Sequence, residues 1–506
     1  MTLLNWLFFN KRFLLLILAI PLLLFSVLGS TEIGTYQFFI NFDLASLMEA
    51  YSESDSFFKT PSTILRLFFF TTAVIMIACI PITSLPVKKY QIKYIEPITK
   101  YLIVMFLLTI LSTDQLYNIV ALILLFLSII YLLFHSSKEF SLTEKYFLAS
   151  YFLLFYYPFF HAFYIETNLS EIDNYLRFLF AIPVYCLIRE IRVKEEYFKF
   201  IINHASLVIG LSAIYFYISD DSIRVAGHTS TATIFGNIAL LFSCLSLLSM
   251  RSFEDKLPRF YSIIATITAF YAWSLTGARS SLLILLVFFI ILLIFRDLRK
   301  NFFSKLNIKL TTIFLAVIIG IFSQSTAFTR ITNSYDTSYN YLFSDGESSW
   351  KYKDSIIPRL IIWNGSINII SEHPFLGVGQ SNFNKYLVAQ IKDKKIQPIR
   401  NDPMRLAAGL NHAHSQYLDI FAKTGIVGFI TLMFFLFMNL FFFLKKYLLN
   451  KNCFYAKAGL LTTISYSTYM LNHTIISHQQ SSLFLSFFLV ILAALSNHKI
   501  LKAKGL

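Results

Sequence analysis

The chain has 506 residues, of which 56% are apolar and 14% charged, with Phe alone at 55 positions. A soluble domain of this length needs far more charge to cover its surface, so a string of soluble domains is excluded. The net charge of +15 does not mark a nucleic-acid binder, because Lys and Arg fall mainly in short clusters between apolar runs, as membrane topology requires.

In chain order, the first apolar run follows Lys11 and Arg12 and has the look of a signal peptide. It lacks a clear small-residue cleavage site and reads as a retained first span. Hydropathy then predicts about fourteen spans, near 13–30, 64–85, 99–113, 116–134, 146–164, 175–188, 198–218, 231–250, 260–276, 281–295, 310–326, 426–444, 456–472 and 482–497. Many approach the roughly 20 residues that cross a hydrocarbon core about 30 Å thick. The expected class is an all-α polytopic membrane protein, with spans 1–11 in residues 1–326, a long loop at 327–413, and spans 12–14 in 414–506.

Alternate short loops take the basic clusters, among them Lys88/Lys89/Lys93, Arg189/Arg192/Lys194, Arg296/Arg299/Lys300 and Lys445/Lys446/Lys451. The positive-inside rule therefore predicts both termini in the cytosol and the long loop outside. The cysteines Cys79, Cys186, Cys244 and Cys453 sit in spans or a predicted cytosolic loop and imply no disulfide framework.

The long loop begins polar, around Asn333–Ser338, and becomes apolar at Leu360–Ile370, behind Pro358 and Arg359. A short helix is expected there, ending at Glu372-His373-Pro374, with a turn at Gly377-Val378-Gly379. Connections this long are usually functional. After it comes His412-Ala413-His414-Ser415, then Gln416–Thr424 and Gly425-Ile426-Val427-Gly428. Ser415 is a candidate N-cap for a short helix over 416–423, and Gly425 and Gly428 are expected to break it or admit a close neighbour. Local physics leaves His414 open between a cap, a surface group, half of a His-x-His metal pair without further ligands at a recognisable spacing, and a catalytic group.

His414-Ser415, nine residues, Gly425, two residues and Gly428 resemble the signature of bacterial O-antigen ligases and the related polymerases. Arg359–Trp363, continuing to His373-Pro374-Phe375-Leu376-Gly377-Val378-Gly379 and Phe383, is similar to that family's large periplasmic loop, and Thr276–Ser280 to its Arg-containing turn. Arg224, Gly227, Gly236 and Asn237 form a weaker matching segment. The resemblance implies a C-type glycosyltransferase-like helical bundle in the inner membrane, with one long periplasmic loop between spans 11 and 12. It implies transfer of a glycan from undecaprenyl pyrophosphate to an acceptor hydroxyl at the periplasmic face, without a cofactor. Lipid A–core is the ligase acceptor; polymerases use a second lipid-linked glycan, and related oligosaccharyltransferases a protein Ser.

In that reading His414, Arg279 and Arg359 are catalytic, and Arg224, Ser415, Trp363, Gly377 and Gly379 bind substrate. The chemistry suits them: a His near neutrality takes a hydroxyl proton, and Arg offers a permanent bidentate fork to phosphate oxygens. His412 lies outside the signature and is expected to matter less. Arg66 and Arg177 read as interfacial side chains among membrane lipids. Two rivals remain. A transporter or flippase would place ionisable groups near mid-membrane in two halves. A metal-dependent C-type enzyme would use Glu53-Ser54-Asp55 as carboxylate ligands.

Overall fold

The computed structural model describes residues 92–134, 139–165, 172–219, 224–250, 256–282, 356–398 and 411–503, with isolated positions between 284 and 333. The expected spans at 13–30 and 64–85, most of 281–295 and 310–326, and Arg66, Glu53, Asp55 and Cys79 lie outside the described residues. Among the described residues there is no strand.

The helices are α1 (Ile92–Thr109), α2 (Leu116–Phe134), α3 (Leu142–Tyr164), α4 (Asp173–Ile188), α5 (Glu195–Ser219), α6 (Ala232–Ser249) and α7 (Lys256–Thr276). A 3-10 turn, Arg279–Leu282, follows. Then come α8 (Ile356–Glu372), α9 (Phe383–Lys392), α10 (Gln416–Leu449), α11 (Phe454–Asn472) and α12 (Gln479–Ala503). The protein is an all-α polytopic membrane protein: α2, α5, α6, α10 and α12 are each long and apolar enough to cross a bilayer. Helix α1 starts earlier than hydropathy alone places it, because its first turns carry charge, paired as Lys100–Glu96 at 2.7 Å.

Helix α12 packs along α4 and α11, α10 along α3 and α11, and α5, α6 and α7 form a mutually packed group. Ile119, Ile123 and Phe126 on α2 and Ile430, Met433, Phe437 and Phe441 on α10 are exposed, as lipid-facing residues must be. Polar contacts tie the α5–α7 group: Asn203 Nδ2 donates to Ser262 Oγ at 2.8 Å, and Ser206 and Ser246 share a hydrogen bond at 2.7 Å. Bonds of this kind contribute on average about 0.6 kcal/mol each within a membrane.

Helices α8 and α9 have a separate small core of Ile357, Ile361, Ile369, Val378, Phe383, Leu387 and Ile391. Ala413 and Ala422 complete it, so the loop packs onto the front of α10 rather than standing away from the bundle.

Candidate active site

The site is organised by an interruption in α10. Gly425 has φ 68° and ψ −168°, which ends a first helical piece at Thr424 and restarts the helix at Ile426. A residue in this left-handed region is ordinarily Gly, and here a Cβ would also overlap the carbonyl of Phe375. The break strips Ala422, Lys423 and Thr424 of their usual helical donors. The turn after α8 replaces them: Val378 N donates to Ala422 O at 3.0 Å and Gly379 N to Lys423 O at 2.8 Å. Ile426 N returns a bond to Pro374 O at 2.9 Å, and Tyr157 of α3 donates to Thr424 O at 2.8 Å. Gly377 and Gly379 both have positive φ, and a Cβ on Gly377 would lie 2.5 Å from the Lys423 carbonyl carbon. The structure thus gives this glycine pair a docking role, locking the loop to the broken helix.

Immediately before α10 the chain is clamped at Ala413 from two sides. Its N–H donates to Asp419 Oδ1 at 2.8 Å, and its carbonyl accepts from Trp363 Nε1 at 3.0 Å. Asp419 is itself held by Lys423 at 3.1 Å, and both side chains are buried. The clamp holds the next residue, His414, at φ 53°. A left-handed conformation is costly for a residue with a Cβ and persists where its surroundings impose it.

Around His414 three further imidazoles assemble. His412 packs edge-on at 4.5 Å between ring centroids, and His473 lies at 6.5 Å. His478 is 4.8 Å from His473 and 6.0 Å from His412, and its Nδ1 is 2.9 Å from Ser230 Oγ. Burial pushes His412, His414 and His478 down to about 4, and holds His473 well below the ordinary range. For His414 the neighbouring His412 and the Arg359 guanidinium add to the depression, while Asp419 opposes it. All four rings are neutral near pH 7. Among the described residues no group of three or more His, Cys, Asp or Glu side chains is disposed to hold a metal ion.

The arginines enter from two elements. Arg359 lies one turn before Trp363 on α8, and its charge acts on both His414 and His473. Arg224 donates through Nε to Thr276 O at 2.8 Å, and Val225 N bonds Leu275 O at 3.1 Å. The Arg224 segment therefore lies along the turn that carries Arg279. Gly236 allows this contact, since a Cβ there would meet Thr276 Oγ1 at 2.5 Å. Asn237 is joined to the same turn by Ser281 Oγ at 2.6 Å. The Arg224–Ser230 segment thus reaches from the Arg279 turn to His478.

Two expectations change, at Ser415 and at Arg177. Ser415 stands at the N-cap position with extended φ −143°, yet its side chain makes no capping bond; its hydroxyl reaches Met470 O at 3.5 Å instead. The position is right, but the hydroxyl is drawn to the end of α11. His412, outside the signature, packs its ring directly on His414. Arg177, read as interfacial, is buried and paired with Asp173 at 3.3 Å. Asp419, Gln416, His473 and His478 were not singled out from the sequence. Only Asp419 left a local signal, an acid in the first turn of a helix.

Residues 264–433 match the family model described as O-antigen ligase. An uncharacterized protein of Haemophilus influenzae (strain ATCC 51907 / DSM 11121 / KW20 / Rd) is 26% identical over 407 residues, covering 78% of this chain and 97% of that protein. The matched segment contains Arg279, Arg359, Trp363, His414, Gly425 and Gly428, and it ends before His473 and His478. Most of the residues that carried the resemblance thus fall in one matched segment, Arg224, Gly227, Gly236 and Asn237 lying before it, and residues 264–433 of this multi-pass membrane protein are similar to the O-antigen ligase family.

Proposed function

We propose that the protein transfers a glycan from undecaprenyl pyrophosphate to an acceptor hydroxyl, with lipid A–core as the acceptor, at the periplasmic face of the inner membrane. The carrying observation is His414: a neutral imidazole held in a strained backbone conformation by the Asp419–Ala413–Trp363 clamp, beside the Arg359 charge.

The acceptor oxygen attacks the anomeric carbon and forms the new glycosidic bond. The bond from that carbon to the diphosphate oxygen breaks, and its electron pair leaves with the diphosphate. The hydroxyl proton passes to His414, which is unprotonated near pH 7 and so able to accept it. A free-site value near 4 makes His414 a weak base, and the donor's negative charge beside it raises its proton affinity toward the working pH. Arg359 and Arg279 stabilise the charge that develops on the diphosphate, which leaves readily and needs no general acid. These side chains supply each charge and proton movement, so the reaction is proposed to be metal-independent.

A transporter would distribute its ionisable groups about mid-membrane. Here the histidines and Arg224, Arg279 and Arg359 gather at one end of the bundle, beside the loop helices. The test is complementation of three deletion strains lacking O-antigen ligase, O-antigen polymerase or protein glycosylation. Restored lipid A–core capping supports the ligase, and rescue of only the polymerase or protein-glycosylation strain reassigns the acceptor. Transfer by purified protein that a chelator abolishes and a divalent ion restores overturns the metal-independent mechanism.

A further inference from the structure

We infer that the α11–α12 connection, residues 473–478, forms with Gln416 a subsite for phosphate oxygens against His414. It lies outside the family-matching segment. As a subsite for the donor's diphosphate it rests on the transfer reading above.

The argument begins with hydrogen bonding. Buried polar atoms in proteins are paired in the great majority of cases, so a cluster of unpaired ones marks a place where a partner belongs. His414 Nδ1, Gln416 Nε2, His473 Nδ1, Thr474 Oγ1 and His478 Nε2 are all buried without a partner, half of all such side-chain atoms among the described residues. Gln416, His473 and Thr474 are almost wholly buried. The five come from two short stretches, 414–416 and 473–478, which are stitched together where Gln416 Oε1 accepts from Ile476 N at 2.9 Å.

The chemistry of these atoms selects the ligand. Gln416 has committed its oxygen to Ile476, so only its donor end remains. The Thr474 hydroxyl and the imidazoles can donate, and imidazole becomes a stronger donor once protonated. Among the full charges, Arg359 acts most strongly on His414 and His473, while the Asp419 carboxylate is occupied by Lys423 and the Ala413 N–H. A donor-rich pocket under positive potential suits an anion with several acceptor oxygens. The carboxylate nearest in the chain that could hold a cation, Asp419, is already paired.

Binding should couple to protons. The groups facing the subsite are His412, His414, Asp419 and Lys423 from the front of α10, Arg359 from α8, and His473 and His478 from the connection, with Ser230 behind His478. An anion among these rings favours their protonated forms, so its affinity should rise as the pH falls.

The experiment uses the full chain in nanodiscs and inorganic pyrophosphate as the probe. Titration calorimetry should show affinity at least tenfold tighter at pH 6 than at pH 8. Gln416→Leu and His473→Gln should each weaken it about tenfold, while Lys395→Ala, on the exposed side of the loop, should not change it. Unchanged affinity in both subsite variants overturns the proposal. If those variants fold poorly, imidazole signals of the histidine-labelled wild-type protein decide it. Pyrophosphate should raise the cluster's titration midpoints, and midpoints unmoved by saturating probe overturn it. A short polyisoprenyl pyrophosphate should compete with the probe. Competition by phosphatidylglycerol alone would assign the subsite to a lipid headgroup and overturn its diphosphate role. Pyrophosphate binding that needs Gln416 and His473 in a protein without transfer would reject the transfer reading and leave the subsite standing. Transfer with subsite-independent binding would do the reverse.

Discussion

The two ends of the helical bundle both bury polar clusters, but the carboxylate cluster at one end is fully paired and the histidine cluster at the other is not. At one end Glu144 accepts from Arg189 Nε at 2.7 Å, Tyr185 Oη at 2.8 Å, Ser141 N at 2.9 Å and Asn497 Nδ2 at 3.2 Å. Ser141 and Glu144 form a reciprocal capping box at the start of α3, and Arg189 also lies over the Phe140 ring at 4.7 Å. At the other end His414, His473 and His478 each keep a buried nitrogen without a partner. The first arrangement is complete without a ligand and joins α3, α4 and α12. The second is incomplete, and incompleteness next to strain is the mark of a site that works on something else.

The largest effect should come from breaking the completed end. Arg189→Met leaves Glu144 buried and uncompensated and should cost about 3–5 kcal/mol of stability. Thermal unfolding in detergent measures this, and Glu144→Gln combined with Arg189→Met should recover part of the loss. Transfer per folded molecule should hold. Selective loss of transfer in a stable Arg189→Met protein would erase the distinction between the ends.

His414→Ala should act in the opposite sense. At matched membrane abundance, transfer should fall on the order of 10²-fold or more, if proton transfer is its role. His414→Gly should lose transfer equally yet unfold at the same or a higher temperature, since Gly tolerates the left-handed conformation. Normal transfer by either variant removes His414 from the mechanism.

Arg359→Ala and Arg279→Ala should each reduce transfer severely, and Lys should rescue only partly because it lacks the planar fork. Arg359→Ala should also move the acid limb of the pH–rate profile upward, because the Arg359 charge depresses His414. An unmoved limb would place Arg359 away from the base.

The histidines also set a pH dependence of stability. Their folded-state values, about 4 for His412, His414 and His478, lie below the ordinary value of about 6.5, so the unfolded chain binds more protons between these limits. Stability should be fully present above about pH 6.5 and decline as the pH falls toward 4. His473→Gln should flatten that decline in equilibrium unfolding; an unchanged slope would contradict the buried neutral state.

Trp363→Phe should have the smallest effect. It removes one bond to Ala413 O, worth about 1 kcal/mol, and should lower the transfer rate a few-fold without weakening donor binding. Weakened donor binding instead would return Trp363 to the substrate contact expected from its place beside Arg359.

The sequence by itself determined the helical membrane class, the helix limits from Leu116 to Thr276 within a few residues, and a loop helix ending at Glu372, though that helix starts at Ile356, ahead of Pro358; it offered a break at Gly425 as one of two alternatives. Each is local: hydropathy, helix-stopping residues and left-handed glycines act over a turn or two of chain. Local physics left His414 open, and it stood out only through the family resemblance carried by its spacing to Gly425 and Gly428. Tertiary structure alone decided what surrounds it. Trp363 reaches Ala413 across 50 residues, Arg224 reaches Thr276 across 52, and Gln416 is tied to Ile476 across 60. No periodicity records such meetings, because they depend on which helix ends pack side by side. The Ser415 hydroxyl went to Met470 rather than to its own helix for the same reason: a neighbour brought by packing competed with the local cap.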